Sequence, residues 1–304
     1  MATPATHPSI AAETAIGQVE LTITDIDRSL AFYERAIGLV AAPQADGTVL
    51  LGGAARWPPL LSLTAAAAAT PRNPRDTGLF HFAILVPTRR DLAVALVRLA
   101  RAGWRLDGAS DHLVSEALYL SDPDGNGIEI YRDRPRAEWR HEADGELAMA
   151  TLPLDLDGLA GELRDPLHER DAGAAIDRDV AAPMPAGTRI GHVHLQVSEL
   201  ARTEEFYAGV VGFDVTVRGY PGALFLSAGG YHHHLGLNTW NSRGGQAPPP
   251  GAVGLRAFEL RLPDQRSLDA VLARVDAAGV PREPAAEGAT LVRDPSGNGV
   301  LLTL

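Results

Sequence analysis

The sequence predicts an α+β chain assembled from four copies of one unit, a strand, a helix and then several strands, and three matches between distant segments carry that prediction. Ile16-Gly-Gln-Val-Glu-Leu-Thr-Ile, Arg28-Ser-Leu-Ala-Phe-Tyr and Ile37-Gly-Leu return as Ile190-Gly-His-Val-His-Leu-Gln-Val, Arg202-Thr-Glu-Glu-Phe-Tyr and Val211-Gly-Phe. Gly78-Leu-Phe-His-Phe-Ala-Ile-Leu-Val-Pro is matched by Gly254-Leu-Arg-Ala-Phe-Glu-Leu-Arg-Leu-Pro. The third match is a closing turn and strand, Asp122-Pro-Asp-Gly-Asn-Gly-Ile-Glu-Ile and Asp294-Pro-Ser-Gly-Asn-Gly-Val-Leu-Leu.

Each unit opens on alternating apolar residues, the period of a strand. Leu30, Phe32, Tyr33 and Ile37 then recur at helical spacing, and with Phe206 and Tyr207 they belong to the core. In the second and fourth units the apolar-periodic helices over 91–102 and 267–278 stop at Gly103 and Gly279, glycine being the natural residue for a left-handed helix end. The glycine pairs at 125–127 and 297–299 follow Asp-Pro and precede a strand, whereas a phosphate cradle needs a helix to follow, so they are tight turns. The units span about 16–66, 78–132, 189–240 and 253–304. Units one and two make a first domain over 16–132, and units three and four a second over 188–304. Residues 1–15 are a tail, 133–187 a charged connection with one helix or an extra strand, and 241–251 a Gly- and Pro-rich joint.

Composition excludes several functions. Of 304 residues, 45% are hydrophobic and 21% charged, the balance of a chain with a real core. A formal net charge of -11 with scattered basic residues gives no basis for holding nucleic acid or acidic membranes. No stretch approaches the roughly 18–20 apolar residues of a membrane span, and the first fifteen residues lack the basic start and apolar core of a leader, so the cytoplasm is expected. There is no cysteine, so any metal must be held by His and carboxylates.

On the strand followed by Ser29-Leu-Ala-Phe-Tyr and Gly38-Leu, and on Asp122-Pro-Asp-Gly-Asn-Gly-Ile-Glu, the chain resembles the vicinal oxygen chelate superfamily of glyoxalase I, bleomycin-resistance proteins and extradiol dioxygenases. The resemblance covers nearly everything outside the tail and the connection. Ser115 to Glu129 and Gly230-Tyr-His-His-His-Leu-Gly-Leu-Asn look like its two-domain catechol-2,3-dioxygenase branch. It implies βαβββ modules forming two domains with open mixed-sheet barrels, and metal ligands on the first and last strands of a unit.

The first strands carry Glu20, His81, His194 and Ala257 at the implied ligand positions, and the last strands of units two and four carry Glu129 and Leu301. Ala257 and Leu301 cannot bind a metal, which leaves His81, Glu129 and His194 as the expected set. Two histidines and one carboxylate leave open positions on Fe(II) for a catecholate and O2, and Mn(II) would fit the same ligands. This set requires unit two to pair with unit three. A rival set, Glu20, His81 and Glu129, would lie within one domain and leave His194 idle. Glu129 lies between Ile128 and Ile130, where an unpaired buried carboxylate is costly and a metal would compensate it.

The resemblance further places an acid-base histidine in the run His232-His233-His234, and aligning the tail Leu235-Gly-Leu with the family pattern puts that role on His233, which strand alternation would turn away from its two neighbours. It places Tyr119 as a hydrogen-bond donor to the substrate, with His112 near the pocket mouth. His192 alternates in phase with His194 and reads as a satisfied strand histidine. The expected activity is extradiol cleavage of a small aromatic diol with O2. The alternatives are a glyoxalase-like isomerase and an aromatic-ligand binding protein like those of bleomycin resistance. Homo-oligomers are common among such enzymes.

Overall fold

The computed structural model describes residues 9–54, 58–143, 145–163 and 172–304. The first unit comprises β1 (Ala15–Ile23), α1 (Ile26–Phe32), β2 (Val40–Pro43), β3 (Val49–Gly52) and β4 (Leu61–Ala65). The second comprises β5 (Gly78–Leu85), α2 (Arg89–Arg101), β6 (Gly108–Asp111), β7 (Ser115–Ser121) and β8 (Gly127–Asp133). The connection holds β9 (Leu152–Pro153), α3 (Leu156–Gly161) and α4 (Ala172–Ala181). The third unit comprises β10 (Arg189–Gln196), α5 (Leu200–Glu204), β11 (Asp214–Val217), β12 (Ala223–Ser227) and β13 (Leu235–Asn238). The fourth comprises β14 (Gly254–Arg261), α6 (Gln265–Ala277), β15 (Arg282–Pro284), β16 (Thr290–Arg293) and β17 (Gly299–Thr303).

Local chemistry sets the helix ends. Thr88 and Asp91 form a reciprocal capping box at the start of α2, and Asp264 caps α6 by accepting from the Ser267 backbone. Gly103 and Gly279, both at φ +66°, end these helices as expected. α1 runs into a wider π turn, Tyr33–Ile37, closed by Gly38 at φ +88°, and α5 repeats this over Glu205–Val211.

The strands form two curled mixed sheets, ordered β15-β16-β17-β14-β1-β4-β3-β2 and β11-β12-β13-β10-β5-β8-β7-β6-β9. At the centre of each, two opening strands pair antiparallel, β1 with β14 and β10 with β5, and each has its own unit's closing strand parallel beside it. Unit one therefore shares a sheet with unit four, and unit two with unit three, so each sheet draws on both sequence halves and neither is built from 16–132 or 188–304 alone. The connection is richer than one helix or a strand: it holds two helices, and β9 extends the second sheet at β6. Among the described residues no helix is long and apolar enough to cross a membrane.

Alternation assigns the faces. Phe82 and Ile84 on β5, Ile128 and Ile130 on β8, and Val193 and Leu195 on β10 enter the main core, while His81, Ala83, Glu129, His192 and His194 take the concave side. Within each sequence half the two units are tied by the same buried bond: Tyr33 donates to Asp122 Oδ2 at 2.9 Å and Tyr207 to Asp294 Oδ2 at 3.3 Å. The same aspartates accept the backbone N–H groups of Asp124 and Asn126, and of Ser296 and Asn298, so both glycine turns are built around a carboxylate. Tyr33→Phe should lower stability by about 1–3 kcal/mol, since it removes a donor from a buried carboxylate, and urea denaturation should read this as a lower midpoint at unchanged m.

Candidate metal centre

The concave face of the nine-stranded sheet is built around β5. Ala83 lies opposite Glu129 of β8 on one side and His192 of β10 on the other. Because its side chain is a single methyl, the longer side chains on either flank meet across it. His81 Nε2 and His192 Nε2 each lie 3.0 Å from Glu129 Oε2, and 3.4 Å from one another. One ligand atom from each of the three falls within 4.8 Å of the others, and all three residues are buried.

This cluster differs from the expected ligand set in one residue, His192 converging with His81 and Glu129 where His194 was expected. His194 stands opposite His81 with the two rings 5.0 Å apart, but it is not part of the three-residue group, and its Nε2 is buried without a hydrogen-bond partner. The cause is register. Ile190 and His192 pair with consecutive residues Ile84 and Ala83, which makes Gly191 the extra residue of a β-bulge and seats His192 level with Glu129. A side chain at position 191 would collide with the Tyr131 hydroxyl, so only glycine fits the bulge. A second bulge lies between the pairs His194–His81 and Leu195–Leu79, and it turns Phe80 into the cleft beside His81.

Burial raises the Glu129 carboxyl, but the charge and hydrogen bonds of His192 and His81 outweigh it and hold the group well below the usual carboxylate range. Burial pushes His192 down to about 4, so near neutrality a neutral His192 ring stands beside an anionic carboxylate. Two imidazole nitrogens and a carboxylate oxygen, buried and converging on one point, suit a divalent transition metal, which would take the place of the protons between them.

The other expected residues surround this cluster. His112 Nδ1 lies 2.7 Å from the Ala150 carbonyl and so carries its proton there, which leaves Nε2 to accept from the Tyr119 hydroxyl at 2.6 Å. Burial, together with Glu129, raises Tyr119 well above the usual phenol range and keeps it a donor. His233 lines the cleft with its ring 4.1 Å from that of His192. The histidine run is not a strand, because β13 begins only at Leu235. The three rings diverge nonetheless: His232 turns to Asp133, His233 to the cleft, and His234 accepts from the Ala228 backbone.

Above the cluster the cleft encloses about 740 Å³, with Phe80, Tyr220, Phe225 and Trp240 among its walls. Sequence reasoning missed these aromatic residues. In the eight-stranded sheet the equivalent face carries Gln18, Glu20, Ala257 and Leu301, and the three-residue group above is the one metal-ligand cluster among the described residues. The rival set fails because Glu20 lies on β1, in the other sheet from His81 and Glu129.

A family model described as the Glyoxalase/Bleomycin resistance protein/Dioxygenase superfamily matches residues 15–130 and 189–302. The chain is 43% identical over 290 residues to Catechol-2,3-dioxygenase of Bacillus subtilis (strain 168), a match that spans 94% of this chain and 96% of that one. A crystal structure from Bacillus subtilis subsp. subtilis str. 168 matches at TM-score 0.62 and 13% identity, covering 97% of this chain and 86% of the other. Glyoxalase I from Zea mays matches at TM-score 0.54 and 16% identity, covering 95% and 92%. Both structures are likenesses of fold.

Proposed function

Because the chain belongs to the glyoxalase/bleomycin resistance protein/dioxygenase superfamily, we propose that it is an extradiol dioxygenase, cleaving a catechol-type ring beside its vicinal hydroxyls with both atoms of O2, and that His81, Glu129 and His192 hold its ferrous ion. The observation that carries this reading is the convergence of two imidazoles and one carboxylate at the base of an aromatic-walled cleft. A relative at 43% identity that bears the name catechol-2,3-dioxygenase supports it. Held by His81, Glu129 and His192, ferrous iron would supply coordination for the diol and O2 and a route for electrons between them.

The chain's own residues do the rest. Phe80, Phe225 and Trp240 exclude water and give the ring apolar faces to lie against. Tyr119, lying close to Glu129, turns its hydroxyl proton from His112 to an oxygen of the diol, and His233 moves a proton at its cleft-facing nitrogen. Tyr119→Phe is expected to lower kcat by roughly 10–100-fold with metal content unchanged, as loss of an outer hydrogen bond does, measured by steady-state oxygen uptake and metal analysis.

The test is oxygen uptake by anaerobically purified, iron-loaded protein given catechol. The expected result is one O2 consumed per catechol with a yellow ring-fission product, lost in Glu129→Gln. Absence of uptake with iron or manganese across simple catechols would overturn the reading, and oxygen-independent turnover of a glutathione hemithioacetal would replace it with an isomerase.

A further inference from the structure

Behind the cleft, His233 is joined to a chain of polar groups that the preceding chemistry does not use. Its Nδ1 lies 2.8 Å from the Nδ1 of His232, and His232 Nε2 lies 2.9 Å from Asp133 Oδ1. His232 is fully buried, and its ring is enclosed by those of Tyr231, Trp139 and Tyr131 at centroid distances of 4.1, 5.5 and 6.0 Å. Its backbone carbonyl accepts from the Thr216 hydroxyl. Asp133 closes β8 and also takes the Tyr231 hydroxyl at 3.1 Å on both oxygens, while Tyr131 donates to Tyr231 at 2.7 Å.

The proton positions along this chain follow from one end. An ionised carboxylate only accepts, so the hydrogen of the His232–Asp133 bond sits on His232 Nε2. With that one proton on Nε2 and no second on the ring, His232 offers a lone pair at Nδ1. Two nitrogens 2.8 Å apart need one proton between them, so His233 must carry it on Nδ1. The nitrogen that His233 then offers to the cleft is Nε2, without a proton.

We propose that Asp133 and His232 are positioning residues that fix His233 as its Nδ1–H tautomer, so that His233 meets the bound diol as a proton acceptor at Nε2 before it can act as a donor. The role toward the diol rests on the extradiol reading, but the tautomer does not. In the proposed order one diol hydroxyl loses its proton to His233 Nε2, and the same proton is then available for return to an oxygen later in the reaction, so the histidine ends as it began. The arrangement follows a general pattern, in which a carboxylate acting on the remote nitrogen of an imidazole selects the tautomer that faces the substrate.

The experiment is long-range ¹H–¹⁵N correlation of the histidine rings in the full-length, metal-free protein near neutral pH, for wild type and for His232→Phe. In wild type, His233 should show a protonated Nδ1 and a lone-pair Nε2, and His232 the reverse. A protonated Nε2 on His233, or protons on both nitrogens of His232, would overturn the proposal. In His232→Phe, His233 should lose its single-tautomer signature, and kcat for oxygen uptake should fall about 10–100-fold with KM and metal content unchanged, the range seen when outer partners of a site are removed. Wild-type signals alone decide the tautomer if that variant does not fold. If the protein consumes no oxygen with any diol, the ring signals still decide it, so failure of the extradiol reading and failure of this one are separable.

Discussion

His192→Ala is expected to abolish metal retention and oxygen uptake, while His194→Ala keeps a metal bound. His192 supplies one of three converging donor atoms, at 3.0 Å from the carboxylate, and a two-ligand remnant lacks the third donor that holds a divalent ion in place. Affinity should fall by more than about 100-fold, beyond the range seen for outer partners of a site, and turnover should fall with it. His194 is a different case. Its Nε2 is buried without a partner, so the ring has no polar bond to lose, and its truncation opens space under Phe80, Phe225 and Trp240. The effect of His194→Ala should therefore fall on KM for the diol, with metal content near wild type. Metal analysis after dialysis against a weak chelator, beside oxygen uptake, checks both. Metal lost in His194→Ala and kept in His192→Ala would restore the set read from the repeat.

That contrast shows where the sequence is legible and where it stops. The repeat pointed to four units, and the residues barred from ligation, Ala257 and Leu301, pointed to a site shared by units two and three, which is how the strands pair. What the repeat could not supply was the register between β5 and β10. His194 aligns with Glu20 of the first unit, a residue type that binds metals, whereas His192 aligns with Gln18, which does not, so the repeat favoured His194, while the strands bring His192 to His81 and Glu129. Bulges are invisible to such an alignment because they arise only when two strands meet. One signal was available: His81 and His192 each stand five residues before the valine that follows the strand, Val86 and Val197.

The cleft walls were illegible for another reason. Trp240 and Tyr220 lie outside the strands, and Phe80 faces the cleft only because a bulge displaces it from the alternation. The histidine run was read as strand, and its three directions were right in outcome for a wrong cause. Irregular backbone, held by the Ala228 and Asp133 bonds, sends His232 and His234 away from His233. Tyr33 and Tyr207 were assigned to the core, which they occupy, but their hydroxyls also anchor the two turn carboxylates across units.

The same buried histidines should make the metal-free protein acid-labile well above the range where carboxylates titrate. Burial pushes His234 down to about 3 and His192 down to about 4, from the ordinary 6.5 that each regains on unfolding. A group whose folded value is depressed binds its proton more readily when unfolded, so its contribution is fully present above about pH 6.5 and is lost as pH falls toward those folded values. Between pH 7 and pH 5 each such histidine should cost about 2 kcal/mol of stability, since the unfolded ring titrates and the folded one does not. Asp122 and Asp294 oppose this, because burial raises both and they favour the folded state as pH falls through their raised folded values. Urea denaturation of metal-stripped protein at pH 7, 6 and 5 should show the decline. His234→Leu should be weaker at pH 7 by about 1 kcal/mol, for the lost bond to Ala228, yet flatter by about 2 kcal/mol across the window. An unchanged slope in that variant would mean that His234 is not held neutral by its surroundings.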